Sequence, residues 1–389
     1  MNVVDLQELT GWLIDGARSS SDTSQRFARI CERLTEAGLP LWRVGIFVRT
    51  LHPDILGVNF IWRPGTEVVF GSVGHDMLDS PEFRNSPLAF VFHEQREVRH
   101  RLDDPETVAV PFFDDMRAEG VTDYIALPLF FMDGTVNASS WTTKRPDGFS
   151  DDELATLRAI VTPLARIIEI ISLIRKASNL LDTYVGNRAG ERILGGQIRR
   201  GHHETMHAAI WLSDLRGFTA LSDRLPAETV VDILNLYFDC QVASIRAHGG
   251  EVLKYMGDGL LAVFPIDEYV GDAPQVCSRV LEAARESRAS VAGLQYPVGD
   301  AVEHFRFGVA LHVGHILYGN IGGGNRLDFT CIGPAVNLAA RLEKIAGKLH
   351  RIVVASERFA SVCTDGWTDL GEFPIAGFSK VERVYGLAD

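Results

Sequence analysis

The fold of the C-terminal half is decided by two stretches, HAAIWLSDLRGFTALS (residues 207–222) and EVLKYMGDGLLAVFP (residues 251–265). Each contains a short apolar run and an acidic residue at a turn, Asp214 in the first and Asp258 in the second. Between them, apolar residues recur at helical spacing over residues 227–248. The order strand, helix, hairpin brings both carboxylates to one end of a sheet, where they suit a hard divalent cation such as Mg²⁺. Two ordinary turn aspartates are the alternative, because Asp-Gly is a common hairpin turn.

A third stretch, DFTCIGPAVNLAARLE (residues 328–343), completes a set of motifs. SDLRGFTALS and KYMGDGLLAVF resemble the two metal-binding motifs of class III nucleotidyl cyclases, and the third stretch resembles their transition-state motif. The three motifs occur in the order that the family shows. The resemblance implies a C-terminal α/β cyclase domain of ferredoxin-like plan over residues 202–389, with catalysis at the interface of a homodimer.

Cyclisation of a nucleoside triphosphate requires its 3′-hydroxyl oxygen to attack the α-phosphorus in line and to expel pyrophosphate. Two metal ions about 4 Å apart can lower the pKa of that hydroxyl and neutralise the phosphates. The resemblance implies two Mg²⁺ (or Mn²⁺) ions per active site, held by Asp214, Asp258 and the carbonyl of Leu215. The first amides of the next helix are expected to contact the β- and γ-phosphates. This segment comprises Gly217, Phe218 and Thr219, and the hydroxyl of Thr219 is a further candidate contact. An ordinary turn glycine is the alternative for Gly217.

Two positions bear on the choice of base. Lys254 lies where adenylate cyclases of the family carry lysine and guanylate cyclases carry an acid. A lysine donor suits the N1 acceptor of adenine and repels the N1–H of guanine. Thr330 lies where adenylate cyclases carry aspartate or threonine, and its hydroxyl can accept from the adenine amino group. ATP is therefore the predicted substrate. A solvated lysine at a strand end is the alternative for Lys254, and a guanylate cyclase or an inactive nucleotide-binding regulator is the alternative for the protein.

The third motif supplies two further candidates. Asn337 and Arg341 are four residues apart and so share one face of a helix. In the family pattern the asparagine orients the ribose and the arginine stabilises charge on the α-phosphoryl group, which a guanidinium contacts bidentately. A surface ion pair is the alternative for Arg341. The chain departs from many relatives at Ala376, where they carry a lysine that reaches the triphosphate, and Lys380, four residues on, is a candidate to replace it.

The composition indicates a soluble globular protein. With 389 residues and 46% hydrophobic content, the chain is long enough for two domains. Its net charge of −13 argues against nucleic acid or an anionic membrane as a general partner. No apolar run reaches the length of a bilayer span, and the N-terminus lacks the basic start of a signal peptide. The five scattered cysteines form no CxxC pair, which predicts reduced thiols and a cytoplasmic protein.

The first 150 residues predict a sensor domain. Two amphipathic helices are expected over residues 3–37 around a polar break at 19–22, and a further helix is expected to begin at the cap Ser150. The arrangement resembles a GAF-type small-molecule sensor, with LPLFFMDGTVNASSWTTKRPDGFSDDELATLRAI (residues 127–160) as the best match; a PAS domain is the nearest rival. The small-molecule effector is not identified by the sequence. The strands of an antiparallel sheet are predicted at residues 43–50, 57–62, 67–70, 108–113, 124–131 and 136–142.

Residues 151–201 are predicted to be a signalling helix and linker between the sensor (1–150) and the catalytic domain (202–389). Five glycines lie between residues 186 and 201, and each lowers helix stability by about 1 kcal/mol. We therefore expect residues 184–201 to couple the two domains. The helix itself shows the alternating spacing of three and four that is typical of a coiled coil, unless it lies wholly on its own domain. The seam positions are Leu157, Ile160, Leu164, Ile167, Ile171, Ile174, Ser178 and Leu181.

Overall fold

The chain divides into two compact units, Met1–Leu180 and Leu181–Asp389. Each unit has its own sheet and its own hydrophobic core. The predicted domain boundaries at residues 150 and 201 stay predictions. The structure, a computed structural model, describes residues 3–17, 22–51, 55–104, 107, 110–267, 270–298, 301–324, 326–363, 366–378 and 381–387.

The first unit is built on a six-stranded antiparallel sheet. Its strands are β1 (Arg43–Arg49), β2 (Ile55–Trp62), β3 (Val69–Gly74), β4 (Val98–Arg101), β5 (Asp123–Phe130) and β6 (Val136–Thr143). Their order across the sheet is β3-β2-β1-β6-β5-β4, so the first and last strands pair at the centre. The strands predicted at residues 43–50, 57–62, 124–131 and 136–142 are confirmed, and the one predicted at 67–70 begins two residues later.

Helices cover both faces of this sheet: α1 (Val3–Ile14), α2 (Thr23–Glu36), α3 (Pro81–Arg84), α4 (Pro87–Glu94), α5 (Asp114–Ala118) and α6 (Asp151–Val185). The predicted N-terminal helix pair is confirmed. Asp22 caps α2 by accepting from the backbone N–H of Gln25 at 2.7 Å, and the rest of the predicted polar break lies outside the described residues. Residues of α1, α2 and α6 bury one sheet face in a single core.

The strand predicted at residues 108–113 is wrong. Pro111–Phe113 is a turn of 3₁₀-helix, and residues 108 and 109 lie outside the described part of the chain. Pro111 has no N–H to donate to a ladder, which disfavours a strand here. Phe113 is instead fully buried edge-to-face against Tyr124, with ring centroids 5.2 Å apart, on the sheet face opposite the helix pair.

Helix α6 begins where the sequence predicts. Ser150 and Glu153 form a reciprocal capping box, with Glu153 N–H donating to Ser150 Oγ at 3.3 Å and Ser150 N–H donating to Glu153 Oε2 at 2.8 Å.

The predicted seam of α6 is wrong over its first half. Its first four positions are buried in the core of their own unit, as a helix packed on its own sheet requires: Leu157, Ile160, Leu164 and Ile167. Another set of exposed apolar residues keeps the alternating spacing of three and four further along the helix. It consists of Ile170, Leu173, Ala177, Leu180 and Tyr184, which we call the α6 stripe.

The second unit holds an eight-stranded sheet. Its strands are β7 (His203–Leu215), β8 (Glu251–Met256), β9 (Gly259–Pro265), β12 (Phe307–Gly323), β13 (Arg326–Ile332), β14 (Val353–Ser356), β15 (Trp367–Pro374) and β16 (Val381–Leu387). Strands β10 (Gln295–Val298) and β11 (Ala301–His304) form a separate hairpin. The helices are α7 (Asn187–Leu194), α8 (Phe218–Arg224), α9 (Ala227–Ala247), α10 (Ala273–Gly293), α11 (Pro334–Lys348) and α12 (Glu357–Val362).

The centre of this sheet follows the predicted ferredoxin-like plan. Strands β12, β7, β9 and β8 lie side by side, which is the spatial order four-one-three-two when β7, β8, β9 and β12 are numbered along the chain. Helix α9 lies in the connection from β7 to β8, and helix α10 lies in the connection from β9 to β12. Strand β7 is buried on both faces, with Trp211 in one core and Ile210 in another, which explains its continuous apolar run.

Across the described residues, no helix combines the length and the apolar character that crossing a bilayer needs.

Candidate active site

Asp214 and Asp258 lie at the same end of the central sheet. Asp214, next to the last residue of β7, stands opposite Gly259 of β9, and Asp258 occupies the turn between β8 and β9. Their carboxyl groups lie close enough that Asp258 raises the pKa of Asp214. A Cβ on Gly259 would lie 3.1 Å from the carbonyl oxygen of Ser213 and 3.8 Å from Oδ1 of Asp214, so the hairpin packs directly against the end of β7. The turn itself needs Gly257, whose φ is 67°.

Burial and negative charge act together on Asp214. Burial raises its pKa to about 7, and the hydrogen bond with Asp258 and the charges of Asp258 and Glu343 act in the same direction. Arg216 acts in the opposite direction. The pair thus concentrates negative charge that its surroundings do not neutralise, the condition under which a divalent cation is favoured. Within the described residues, no group of three or more acidic, histidine or cysteine side chains forms a metal site, so the carboxylates stand as a pair.

Arg216 and Glu343, which were not singled out from the sequence, connect this pair to helix α11. Arg216 Nη1 donates to Oε1 of Glu343 at 2.7 Å, and Glu343 is buried with only 8% of its side chain exposed. The guanidinium lies against two glycines: a Cβ on Gly308 would overlap Nη2, and one on Gly347 would lie 2.9 Å from Nη1. The ion pair therefore depends on glycine at both positions, and it fixes the end of β7 to α11.

The expected phosphate-binding segment follows the carboxylate directly. Leu215 is buried at the end of β7, opposite Phe307. Gly217 caps α8 with a left-handed backbone (φ 78°), and nothing lies within 4 Å of where its Cβ would be. Glycine is thus favoured there by the backbone conformation and not by crowding. Thr219 is exposed in the first turn of α8, and Phe218 packs partly into the core.

Lys254 is paired within its own chain. Its Nζ donates to Oδ2 of Asp328 on β13, so it is not a freely solvated lysine. Thr330 is two residues after Asp328 on β13 and therefore shares its sheet face. Lys254 and Asp328 line a cavity of about 360 Å³, together with Tyr184 and Arg246. The structure thus brings Lys254 close to the strand that carries Thr330.

Asn337 and Arg341 lie on the exposed face of α11. Both are exposed, and Lys344 and Lys348 continue the same face. The acid closest to Arg341 in sequence, Glu343, points into the protein, where Arg216 holds it. The face therefore presents an amide and several cations to solvent.

Two further sequence expectations bear on this site. Ala376 is exposed in the turn after the buried Ile375, and Lys380 lies outside the described residues. Strand β12 pairs with β13 up to Gly323 and Arg326, so the glycine-rich end of β12 forms one arm of a hairpin.

Several adenylate cyclases are similar to about half of this chain. The terminal-differentiation specific adenylate cyclase of Dictyostelium discoideum is 33% identical over 193 residues, 46% of this chain and 8% of that protein. The adenylate cyclase of Anabaena cylindrica is 26% identical over 200 residues, 49% of this chain and 38% of that protein. The chain therefore matches less than half of the length of either relative. Among solved structures, the adenylyl cyclase CyaB from P. aeruginosa is 27% identical, covers 48% of this chain and 96% of that chain, and gives a TM-score of 0.39.

The family comparison matches the C-terminal half of the chain. Residues 201–385 match the adenylate and guanylate cyclase catalytic domain. That range contains the three sequence motifs, the carboxylate pair, Lys254 with Thr330, and the exposed face of α11. The candidate site thus lies within the part of the chain that is similar to the adenylate and guanylate cyclase catalytic domain.

Proposed function

We propose that the protein is an adenylate cyclase that converts ATP to 3′,5′-cyclic AMP and pyrophosphate. The observation that carries the proposal is the adjacent pair of carboxyl groups, Asp214 and Asp258, in the region that matches the adenylate and guanylate cyclase catalytic domain. In the reaction, the bond between O3′ and the α-phosphorus forms and the bond from that phosphorus to the β-phosphate oxygen breaks. The hydroxyl loses its proton, and pyrophosphate leaves with the electron pair.

Divalent metals are general in this family, and the residues present fit them. The carboxylates of Asp214 and Asp258 are adjacent, and the pKa of Asp214 is raised to about 7, first by burial and then by its acidic neighbours. We infer that these two side chains and the carbonyl of Leu215 hold two Mg²⁺ or Mn²⁺ ions. When bound, the ions lower the pKa of the attacking hydroxyl and offset phosphate charge.

The chain's own residues position the rest of the nucleotide. The amides after Gly217 and the hydroxyl of Thr219 bind the β- and γ-phosphates at the start of α8. Arg341 meets the charge that develops on the α-phosphoryl group, because a guanidinium binds phosphate oxygens bidentately. Asn337, one helical turn earlier, orients the ribose.

Lys254 and Thr330 favour adenine. The ammonium donates to N1 of adenine, a position that carries a hydrogen in guanine. The hydroxyl of Thr330 accepts from the exocyclic amino group. The support is that Lys254 lies in a cavity wall with Asp328, whose strand face also carries Thr330. Production of cyclic GMP instead would make the protein a guanylate cyclase.

We infer a homodimer in which one copy supplies the carboxylates and the other supplies Lys254, Thr330, Asn337 and Arg341. The exposure of Arg341 and of the α6 stripe supports this inference.

The first unit acts as the small-molecule sensor, and its GAF-like character rests on the sheet flanked by helices.

Cyclic nucleotide production by the purified full chain tests the function. ATP and GTP are offered separately with Mg²⁺ or Mn²⁺, and cyclic AMP from ATP is the expected product. Asp258→Ala is expected to lower the rate about a hundredfold or more, because the site loses a metal ligand. Asp239→Ala, an exposed aspartate on α9, is the matched control and keeps full activity. A wild-type protein that binds ATP but forms no product under any of these conditions would contradict the proposal.

A further inference from the structure

We propose that the first unit binds a small apolar carboxylate in a cavity between its sheet and helices α2 and α6. The cavity has a volume of about 240 Å³. A water molecule occupies about 30 Å³ in the liquid, so the cavity has room for about eight non-hydrogen atoms. Its inner wall is apolar, formed by Phe27, Ile30, Ile46, Phe60, Ile167 and Ile171.

A concave, mostly apolar cavity that opens to solvent is the usual form of a small-molecule site. The residues around this cavity include the buried Ile30, Ile46 and Ile167, which belong to the core of the unit. Filling the cavity with apolar groups would restore the dispersion contacts that its lining lacks. The inner wall therefore favours a hydrocarbon body in the ligand.

The mouth of the cavity is cationic. Arg26 and Arg175 both line it, and the guanidinium of Arg175 stacks between two aromatic rings, 5.0 Å from the centroids of Phe60 and Phe70. Burial lowers the pKa of Arg175, partly offset by the charge of Asp22. Among the described residues, Asp22 is the carboxylate whose charge acts on the guanidinium of Arg175, and an anionic group on the ligand would give that guanidinium a direct partner.

These two features together define the ligand class. An apolar body of about eight atoms fits the cavity, and one carboxylate meets Arg175 at the mouth. A neutral molecule of the same shape would fill the cavity and leave the cationic mouth as it is. A cationic molecule would meet repulsion there. The site therefore selects by charge as well as by shape.

Helix α6 forms a large part of this site. Ile167, Ile168, Ile171 and Arg175 all line the cavity, on the helix that continues to Val185. A bound carboxylate would hold these residues in one arrangement and so restrain the helix. This regulatory consequence rests on the proposed cyclase function, whereas binding at the cavity does not.

Isothermal titration calorimetry of the full chain tests the site. Hexanoate has the proposed size and charge, and hexanamide is its neutral counterpart of nearly the same shape. We expect hexanoate to bind at least about tenfold more tightly, because hydrogen bonds to charged groups are the stronger ones. Equal binding of the two compounds, or no binding of hexanoate, would overturn the proposal.

Variants of α6 locate the binding. Arg175→Gln is expected to weaken hexanoate binding about tenfold, whereas Lys176→Gln, which makes the same charge change at the next position, leaves it within about twofold. Ile171→Trp, which fills the cavity, is expected to abolish binding while the protein keeps its thermal unfolding transition. Hexanoate that binds all three variants as tightly as the wild type would show that this cavity is not the site.

Cyclic AMP formation with and without hexanoate tests the regulatory part separately. We expect the rate to change at least about twofold in the wild type and to stay constant in Arg175→Gln. Tight binding without a change in rate would support the site and refute its regulatory role. Binding by a protein that makes no cyclic nucleotide at all would count against the proposed enzyme function and not against the site.

Discussion

Arg216 is the residue on which the geometry around the carboxylate pair depends most. It pairs with the buried Glu343 and is the cation that lowers the pKa of Asp214. We expect Arg216→Met to destabilise the second unit by about 1–3 kcal/mol, since Glu343 is left buried without its partner. Because α11 carries Arg341, we also expect kcat to fall about tenfold. Urea denaturation and initial rates measure the two effects.

A second ion pair of similar length provides the control. Arg383 pairs with Glu372 at 3.2 Å on the exposed side of the sheet, where 43% and 55% of the side chains are accessible. Arg383→Met is therefore expected to change stability by less than about 1 kcal/mol. In Arg216→Met/Glu343→Leu, stability is expected to recover more than kcat does, because an apolar pair restores packing without fixing the end of β7. Equal losses in Arg216→Met and Arg383→Met would contradict this account.

His312 makes the stability of the second unit depend on pH. It is buried, its Nδ1 lies 2.7 Å from Ser356 Oγ, and burial, aided by Arg358, lowers its pKa to about 4. An unfolded histidine titrates near 6.5. As pH falls from 6.5 to 4, the unfolded chain binds a proton that the folded chain does not, so stability is lost across this window.

We expect this histidine to remove about 2 kcal/mol of stability between pH 7.5 and pH 5. His312→Gln is expected to abolish that part of the pH dependence, and His203→Gln, at an exposed position, to preserve it. The free energy of unfolding in urea at the two pH values gives the answer. An unchanged pH dependence in His312→Gln would show that other groups are responsible.

At the scale of elements, the α6 stripe offers a pairing surface that differs by one position from the predicted seam. Ala177 belongs to the stripe, and Ser178 belongs to the seam. If the stripe pairs in a dimer, Ala177→Glu is expected to weaken dimerisation about tenfold or more, because it places two carboxylates in the seam. Ser178→Glu is the matched control and is expected to have little effect. Sedimentation equilibrium of the full chain distinguishes the two, and a reversed result would restore the predicted seam.

The same helix shows why part of the fold escaped prediction. A spacing of three and four is shared by a coiled-coil seam and by a helix that packs on its own sheet, so periodicity alone does not separate them. Short elements were missed for another reason, since α3 and α4 are too brief for a periodic pattern. Their starts are nonetheless encoded, because Ser80 and Ser86 each cap a helix that has proline at its first position.

The candidate site was predictable only where its residues lie in local motifs. Asp214 and Asp258 each follow an apolar strand at a turn, and their meeting follows from the strand order. The contact of Arg216 with Glu343 joins residues 127 positions apart and depends on space left by Gly308 and Gly347. No local pattern contains that information. The pairing of Lys254 with Asp328, 74 positions apart, was missed for the same reason.

At the scale of the whole molecule, the proposal that two copies share each active site can be tested with mixed dimers. Asp258→Ala lacks a proposed metal ligand, and Arg341→Ala lacks the proposed phosphate contact, so each variant alone is expected to be nearly inactive. A mixed dimer of the two retains one site with all its residues intact. After random exchange of subunits, we expect about a quarter of wild-type activity. Cyclic AMP formation in an equimolar mixture measures this.

Asp258→Ala mixed with Asp214→Ala is the control for subunit complementation. Both changes damage the same half of the site, so no dimer of these two has an intact site and the mixture is expected to stay inactive. Recovery in this control, or its absence in the first mixture after demonstrated subunit exchange, would show that the site lies within one copy.

The ion pair between Lys254 and Asp328 indicates the order in which the proposed site contacts the phosphates and the base of a nucleotide. A lysine that already holds a carboxylate engages a base only by exchanging partners. The exposed face of α11, with Arg341, Lys344 and Lys348, is by contrast strongly positive. A nucleotide carries its negative charge at one end only. In the proposed cyclase, we therefore expect the positive face of α11 to attract the phosphates of an arriving nucleotide before any contact with the base forms.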